Sequence, residues 1–187
     1  MSERFKFSSL DLSGLVLIKR LQIVDNRGYF ERLFCAETFS FLGFEKPVVQ
    51  INRSLTKQCG AVRGLHFQYP PHSETKIVTC LKGEIFDVAV DLRKNSRTFL
   101  KWHGENLSAE NCRSLFIPEG FAHGFQTLTD DCELLYLHTA PYAPGAEGGI
   151  NPLDPLINVH WPLPVTEMSD RDSGHAQLDH NFTGVEL

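Results

Sequence analysis

The sequence predicts an all-β sandwich or barrel carrying only a few short helices. Three observations carry this. Short runs of strand-forming residues recur at roughly 8–15-residue spacing, Gly, Pro, Asn and Asp punctuate them, and no 3.6-residue apolar period lasts long enough for a helical domain. In chain order the runs are 14–23 (GLVLIKRLQI), 48–54 (VVQINRS), 61–68, 76–92, 113–117 and 133–139 (ELLYLHT). Segment 76–92 (KIVTCLKGEIFDVAVDL) splits at Lys82-Gly83 into two alternating runs and reads as a hairpin. In its second run Phe86, Val88, Val90 and Leu92 share one face, with Asp87, Ala89 and Asp91 on the other. Segment 116–125 (FIPEGFAHGF) has the Pro-x-Gly-x-x-His cadence of strand, turn and strand. A short helix is expected at 36–43 and a turn or helix near 152–158. The Pro-rich stretch 141–164 reads as an irregular wrap, SDRD (169–172) as a capped helical turn, and 168–187 as a loosely packed polar tail. With no repeat or linker, residues 1–187 form a single expected domain.

Composition bounds the function. The chain has 187 residues, 42% hydrophobic with 14 Phe, enough for a sizeable core. Its net charge of −5 gives no basic footprint, so nucleic acid is not an expected partner. An anionic ligand must therefore be met by a local cluster of Arg, Lys and His. The apolar runs fall far short of the roughly 20 residues of a membrane span, and the N-terminal residues lack the apolar core of a signal peptide. Five cysteines without a Cys-x-x-Cys pair point to reduced thiols and a cytoplasmic protein.

The chemistry lies in the strands. His66 and His123 are 57 positions apart, yet the strand pattern turns both toward one barrel interior, beside Arg63, Gln68 and Lys76. Burying that polarity costs several kcal/mol unless it is paired, which marks a site. By parity His66 faces with Gln68, Tyr136 with His138, and Lys76 with the apolar Val78 and Cys80, which turns the lysine inward. Arg63 has the opposite parity to His66 unless Gly64 marks a bulge. Of Asp87 and Asp91, one is expected to pair with a cation and the other to lie at the surface. A double-stranded β-helix metal set needs a His-x-His pair, a following carboxylate and a late histidine. Here Gln68 replaces the second imidazole and Glu74 is displaced beyond two prolines and His72. His66 and His123 alone fall below the usual three ligands, so no metal centre is expected. Histidine and tyrosine, with ordinary pKa values near 6.5 and 10, form a proton-transfer pair, and an inward lysine can stabilise an oxyanion.

DNRGYFERLF (25–34), QINRS (50–54), RGLHFQYPP (63–71), GEIFDVAVDLRKNS (83–96), FIPEGFAHGF (116–125), YLHTAPYAPGAEGGI (136–150) and SDRD (169–172) occur in this order with the Lys76 strand among them. Together they resemble the dTDP-4-dehydrorhamnose 3,5-epimerase family over nearly the whole chain. The resemblance implies a cupin-type jelly-roll barrel (double-stranded β-helix) working as a homodimer without metal or other cofactor. The implied substrate is a nucleotide-linked, dTDP-type, 4-keto-6-deoxyhexose, epimerised at C3, C5 or both in deoxysugar biosynthesis of the rhamnose type. It implies His66 as the base, Asp172 as the carboxylate that holds it, Lys76 near the developing oxyanion, and Tyr136 as the acid on the opposite face. It places Arg63 and His123 near the diphosphate and Gln50 and Asn52 in the sugar wall. Arg27, Phe30 and Glu31 match an arm entering the partner's site, and Tyr142, Glu147 and Arg171 are further substrate contacts. Phe67 departs from a common tyrosine, and Asn151-Pro152-Leu153 replaces a stretch where many members carry a Trp; that stretch is expected to border the substrate. The motifs do not separate one inversion from two. A mono-epimerase, a related 4-ketosugar isomerase and a non-catalytic sugar-binding cupin remain the alternatives.

Overall fold

The computed structural model describes residues 4–42 and 46–187. β1 (Phe5–Ser9) and β2 (Val16–Arg20) pair antiparallel, and β3 (Ile23–Asp25) with β4 (Gly28–Phe30) makes a separate small hairpin. α1 (Ala36–Phe39) runs into a 3₁₀ turn, Ser40–Leu42; Gly43, the last residue of the helix expected over 36–43, lies outside the described residues. The strands β5 (Gln50–Thr56), β6 (Val62–Gln68), β7 (Lys76–Lys82) and β8 (Glu84–Asp91) follow. Next come β9 (Trp102–Ser108), β10 (Arg113–Ile117), β11 (Phe121–Thr127) and β12 (Cys132–His138). A short β13 (Glu147–Gly149) and α2 (Asp170–Ser173) complete the elements. They assemble into a six-stranded sheet, β1-β2-β10-β7-β12-β5, and a five-stranded sheet, β13-β6-β11-β8-β9. This is the expected all-β jelly roll.

The expected hairpin at Lys82-Gly83 is not one. β7 is flanked by β10 and β12 in one sheet, while β8 lies between β11 and β9 in the other. Gly83 turns the chain from sheet to sheet with φ +76°, and a Cβ there would meet Thr129 Oγ1 at 2.6 Å and Cys132 Sγ at 2.8 Å. Both ends of the turn are thus specified by what already borders β7.

Alternation along each strand builds three layers of core. Between the sheets, Val78, Cys80, Leu115 and Leu134 of one face pack on Ile85, Ala89, Leu107 and Phe125 of the other. Outside the five-stranded sheet, Leu65, Phe67, Val88 and Val90 are covered by Ile150, Ile157 and Val185 of the C-terminal wrap. Outside the six-stranded sheet, Ile18, Ile77 and Leu137 pack against Phe5 and Phe39, the latter from α1. The tail is not loose: Val185 is buried, its N–H donates to Leu92 O at 2.7 Å, and its carbonyl accepts from Lys94 N at 2.8 Å. Neither Asp87 nor Asp91 reaches the surface. Asp91 is buried under the loop after β8, where Arg93 pairs with it and Ser96 and Thr98 donate to it.

Gly64 carries the one bulge that matters for function. His123 pairs with His66 and Phe125 with Arg63, so Gly64 and Leu65 together oppose the single residue Gly124. At φ +126° a Cβ on Gly64 would lie 2.5 Å from Gly124 Cα and 2.8 Å from His123 O, both backbone atoms with no room to yield. Gly64→Ala is therefore expected to lower stability by about 3 kcal/mol, read as a fall in the urea midpoint. An unchanged midpoint would mean that β6 and β11 can part here without cost.

Candidate active site

The interior changes character along its strands. Cys80 and Val78 of β7 lead to Lys76, Leu134 of β12 leads to Tyr136 and His138, and β6 brings His66 and Gln68 to the same end. The in-register pair His66 and His123 shows the shared face that parity predicts, and the bulge brings Arg63 onto His66's side, where both line one cavity of about 600 Å³. A second cavity of about 340 Å³ is lined by Gln50, Asn52, His66, Lys76, His138 and Tyr142. His66 borders both. A larger cavity of about 810 Å³, by Arg93 and Leu187, contains none of these groups.

His66 is held from behind. The helical turn α2 is capped as its sequence suggests, Ser169 Oγ accepting from Asp172 N at 3.1 Å. This aims Asp172 into the sheet, where Oδ1 lies 2.7 Å from His66 Nε2 and Oδ2 accepts from Gly64 N at 3.1 Å. Burial pushes the Asp172 carboxyl up, but the His66 bond and charge, the Gly64 N–H and Arg171 outweigh it and bring it down to about 2. An ionised carboxylate only accepts, so His66 Nε2 carries the proton and Nδ1 keeps its lone pair, with Arg171 Nη2 3.4 Å away as its neighbour. Arg171 Nη2 also lies 2.8 Å from Nε2. Two donors cannot bond each other, and the buried carboxylate takes precedence over a half-exposed guanidinium. Arg171 instead has partners in both oxygens of Glu147, at 3.2 and 3.1 Å, and Glu147 in turn accepts from Tyr142 Oη at 2.9 Å. That hydrogen bond raises the Tyr142 phenol.

The facing sheet supplies Lys76, Tyr136 and His138, while His123 and Asp87 come from β11 and β8 of the same sheet as His66. Tyr136 meets His123 edge-on, with ring centroids 6.1 Å apart, and stacks on His138 at 6.2 Å. Its hydroxyl is 3.1 Å from Ser54 Oγ. Burial pushes the Tyr136 phenol well above its ordinary value, and only the Ser54 bond and the Arg63 charge oppose this. His123 Nε2 contacts Asp87 Oδ1 at 2.7 Å; burial raises the Asp87 carboxyl against the pull of His123 and Lys76. Lys76 is buried, as its face predicts, and is paired with Glu74 at 3.0 Å while donating to His66 O at 3.1 Å. Gln68 donates to the same carboxylate at 2.8 Å.

Glu74, Ser54 and His138 are the site residues that sequence reasoning did not assign. Parity did place His138 beside Tyr136. Burial, with the charges of Lys76 and His123, lowers it to about 4, so it is neutral near pH 7. The sequence offers Glu74 only as a displaced metal ligand; in the fold it balances Lys76. Asn151 does not border the cavities. It donates to the Ser173 and His175 carbonyls at 2.9 and 3.4 Å and so braces α2. Phe67 packs mainly outward, against Tyr69 at 4.9 Å.

Three of the expected ligand contacts lie away from these cavities. Arg27 and Phe30 are exposed on the β3–β4 hairpin, with Arg27 paired to Asp25. Glu31 turns back onto its own chain and pairs with Arg20 at 3.1 Å, because Arg20 is itself buried and needs a counter-charge. Among the described residues one group has metal-ligand chemistry, His66, Asp172 and His175, whose donor atoms lie within 4.8 Å of one another.

Against known proteins, the family model for dTDP-4-dehydrorhamnose 3,5-epimerase matches residues 9–180. A dTDP-4-dehydrorhamnose 3,5-epimerase from Methanothermobacter thermautotrophicus is 43% identical over 180 residues, 95% of this chain and 96% of the relative. The crystal structure of a dTDP-6-deoxy-D-glucose-3,5-epimerase from Legionella pneumophila, in complex with dTDP-4-keto-L-rhamnose, superposes with a TM-score of 0.89 at 36% identity, covering 97% of this chain and 98% of that one. A 3'-monoepimerase from Streptomyces bikiniensis, in complex with dTDP-quinovose, superposes at 0.82 with 34% identity, covering 90% and 85%. A jelly roll whose interior gathers a carboxylate-held histidine, a lysine and a half-buried tyrosine, matched along nearly its whole length, belongs to the dTDP-4-dehydrorhamnose 3,5-epimerase family of isomerases.

Proposed function

We propose that this epimerase acts on a dTDP-linked 4-keto-6-deoxyhexose: at C3 and C5 in turn His66 removes the proton and Tyr136 delivers its own from the opposite face, after which His66 releases its proton to solvent and Tyr136 regains one from it. The C4 ketone acidifies both C–H bonds, so abstraction leaves an enolate. His66 Nδ1, freed by the Asp172 bond to Nε2, takes the proton. Lys76, charged and held by Glu74, stabilises the oxygen at C4. Arg63, His123 and Arg171 bind the diphosphate side, while Gln50, Asn52, Tyr142 and Glu147 bound the sugar side. No metal or cofactor takes part. The observation that carries this reading is that His66 and Tyr136 project into one interior from facing sheets, the arrangement inversion requires. Incubation with dTDP-4-keto-6-deoxyglucose in D2O, followed by NMR at C3 and C5, tests it and counts the centres. Deuterium and inversion at both are expected; a single centre would assign a mono-epimerase, and none would overturn the reading.

The working unit is a homodimer, and the five free cysteines support a cytoplasmic setting for it. Among the described residues, no helix is long and apolar enough to cross a membrane. The β3–β4 hairpin exposes Ile23, Val24, Tyr29 and Phe30, and the edge strand β5 exposes Ile51 and Leu55. Such an apolar surface calls for a cover, and a second copy would receive Arg27 and Phe30 at its cavity. Light scattering at micromolar concentration should give twice the 21.1 kDa chain mass. A monomer would remove the arm from the site.

A further inference from the structure

We propose that His66, Asp172 and His175 form a capture site for a divalent transition cation, zinc above all, and that filling it switches the enzyme off. Two imidazoles and a carboxylate are a ligand set such ions favour, and three protein ligands with one open position are enough for zinc. The donor atoms already lie within 4.8 Å of one another, and ligands about 2 Å from a shared ion would sit roughly 3.3 Å apart, so the His66–Asp172 contact at 2.7 Å has to open slightly and His175 to move in, both within reach of side-chain adjustment.

A second observation is independent of that clustering. His175 Nε2 is buried without a hydrogen-bond partner. Its ring lies edge-on to His66 at 6.0 Å, in space that exists only because residue 149 has no side chain: a Cβ on Gly149 would fall 2.1 Å from His175 Nε2. Gly149 is also the β13 residue paired directly with His66. The fold thus leaves room for a second imidazole beside the base and gives its buried nitrogen nothing to bind. Arg171 opposes a cation here, with Nη2 2.8 Å from His66 Nε2, but its half-exposed side chain has Glu147 to retreat to.

The consequence follows from the tautomer. Without metal, Nε2–H donates to Asp172 and Nδ1 is the free base. A metal on Nε2 requires the proton to leave that nitrogen, and the neutral ring then carries it on Nδ1, where the base lone pair had been. The cavities on the substrate side remain, so kcat should fall more than KM rises. This consequence rests on His66 acting as the base; metal binding does not.

The experiment uses the full chain stripped with EDTA and titrated with CoCl2 and ZnCl2, reading the cobalt d–d absorption and, separately, deuterium wash-in. Expected are a cobalt spectrum without thiolate charge-transfer bands, zinc inhibition at micromolar concentration that EDTA reverses, and a kcat effect. His175→Ala should keep basal activity and weaken both cobalt binding and zinc inhibition about tenfold or more. No binding at millimolar metal, thiolate bands in the cobalt spectrum, or an affinity unchanged in His175→Ala would each overturn the site. Cobalt binding that depends on His175 but leaves wash-in untouched would keep the site and overturn the switch, and with it the assignment of His66 as base.

Discussion

His66→Ala should abolish deuterium incorporation at both C3 and C5, with the rate falling by about 10²–10⁴ or more. Both abstractions are assigned to one nitrogen, so no enolate forms at either carbon once it is gone. Asp172→Asn tests the same arrangement more finely. An amide can offer its NH₂ to Nε2, which favours the opposite tautomer and moves the proton onto Nδ1, where a base cannot use it. Its rate should lie between those of wild type and His66→Ala, since the imidazole remains but in the wrong form. Substrate affinity should change far less than rate in both variants. Wild-type exchange in His66→Ala would show that another group takes the proton, and neutral His138, which lines the sugar-side cavity, would become the first alternative.

Parity made this much of the site legible in advance. A strand has a period of two, so a buried apolar partner two residues away places a polar residue indoors, as Val78 does for Lys76, and the same period puts Tyr136 and His138 on one face. Gly64 was legible as a bulge because a glycine between Arg63 and His66 lacks any packing purpose of its own. What alternation cannot report is which strand lies alongside. Lys82-Gly83 looks the same whether the chain folds back on itself or steps to a facing sheet, and the choice is made by β10 and β12, tens of residues later. The same non-local logic hid the fate of three carboxylates. Asp91 is satisfied by a loop that closes over it, Glu31 by Arg20, and Glu74 by Lys76; each pairing depends on tertiary placement rather than on local pattern. Val185 falls within a mostly polar tail where Phe182 and Leu187 set up no regular apolar period, so nothing local marks it, yet it closes the outer core. The family resemblance supplied what parity could not, namely that Asp172, 106 positions from His66, returns to meet it.

Tyr136→Phe should separate exchange from inversion. The substitution removes one oxygen from a ring otherwise held by His123 and His138, so the fold should survive, with Ser54 losing one hydrogen-bond partner at a cost of about 1 kcal/mol. His66 still abstracts, and its proton exchanges with solvent while the enolate persists. With no donor on the far face, deuterium then returns from the side the proton left. Wash-in with retained configuration is the expected signature, with inversion slowed by about 10²–10⁴ and exchange reduced far less. The burial that raises the phenol supports this division of roles: at neutral pH Tyr136 holds its proton until an enolate carbon, a far stronger base than water, is presented to it. Inversion at the wild-type rate would remove Tyr136 as the acid. Loss of wash-in together with inversion would mean that the two residues act as one unit, and that removing the acid also disables abstraction by His66.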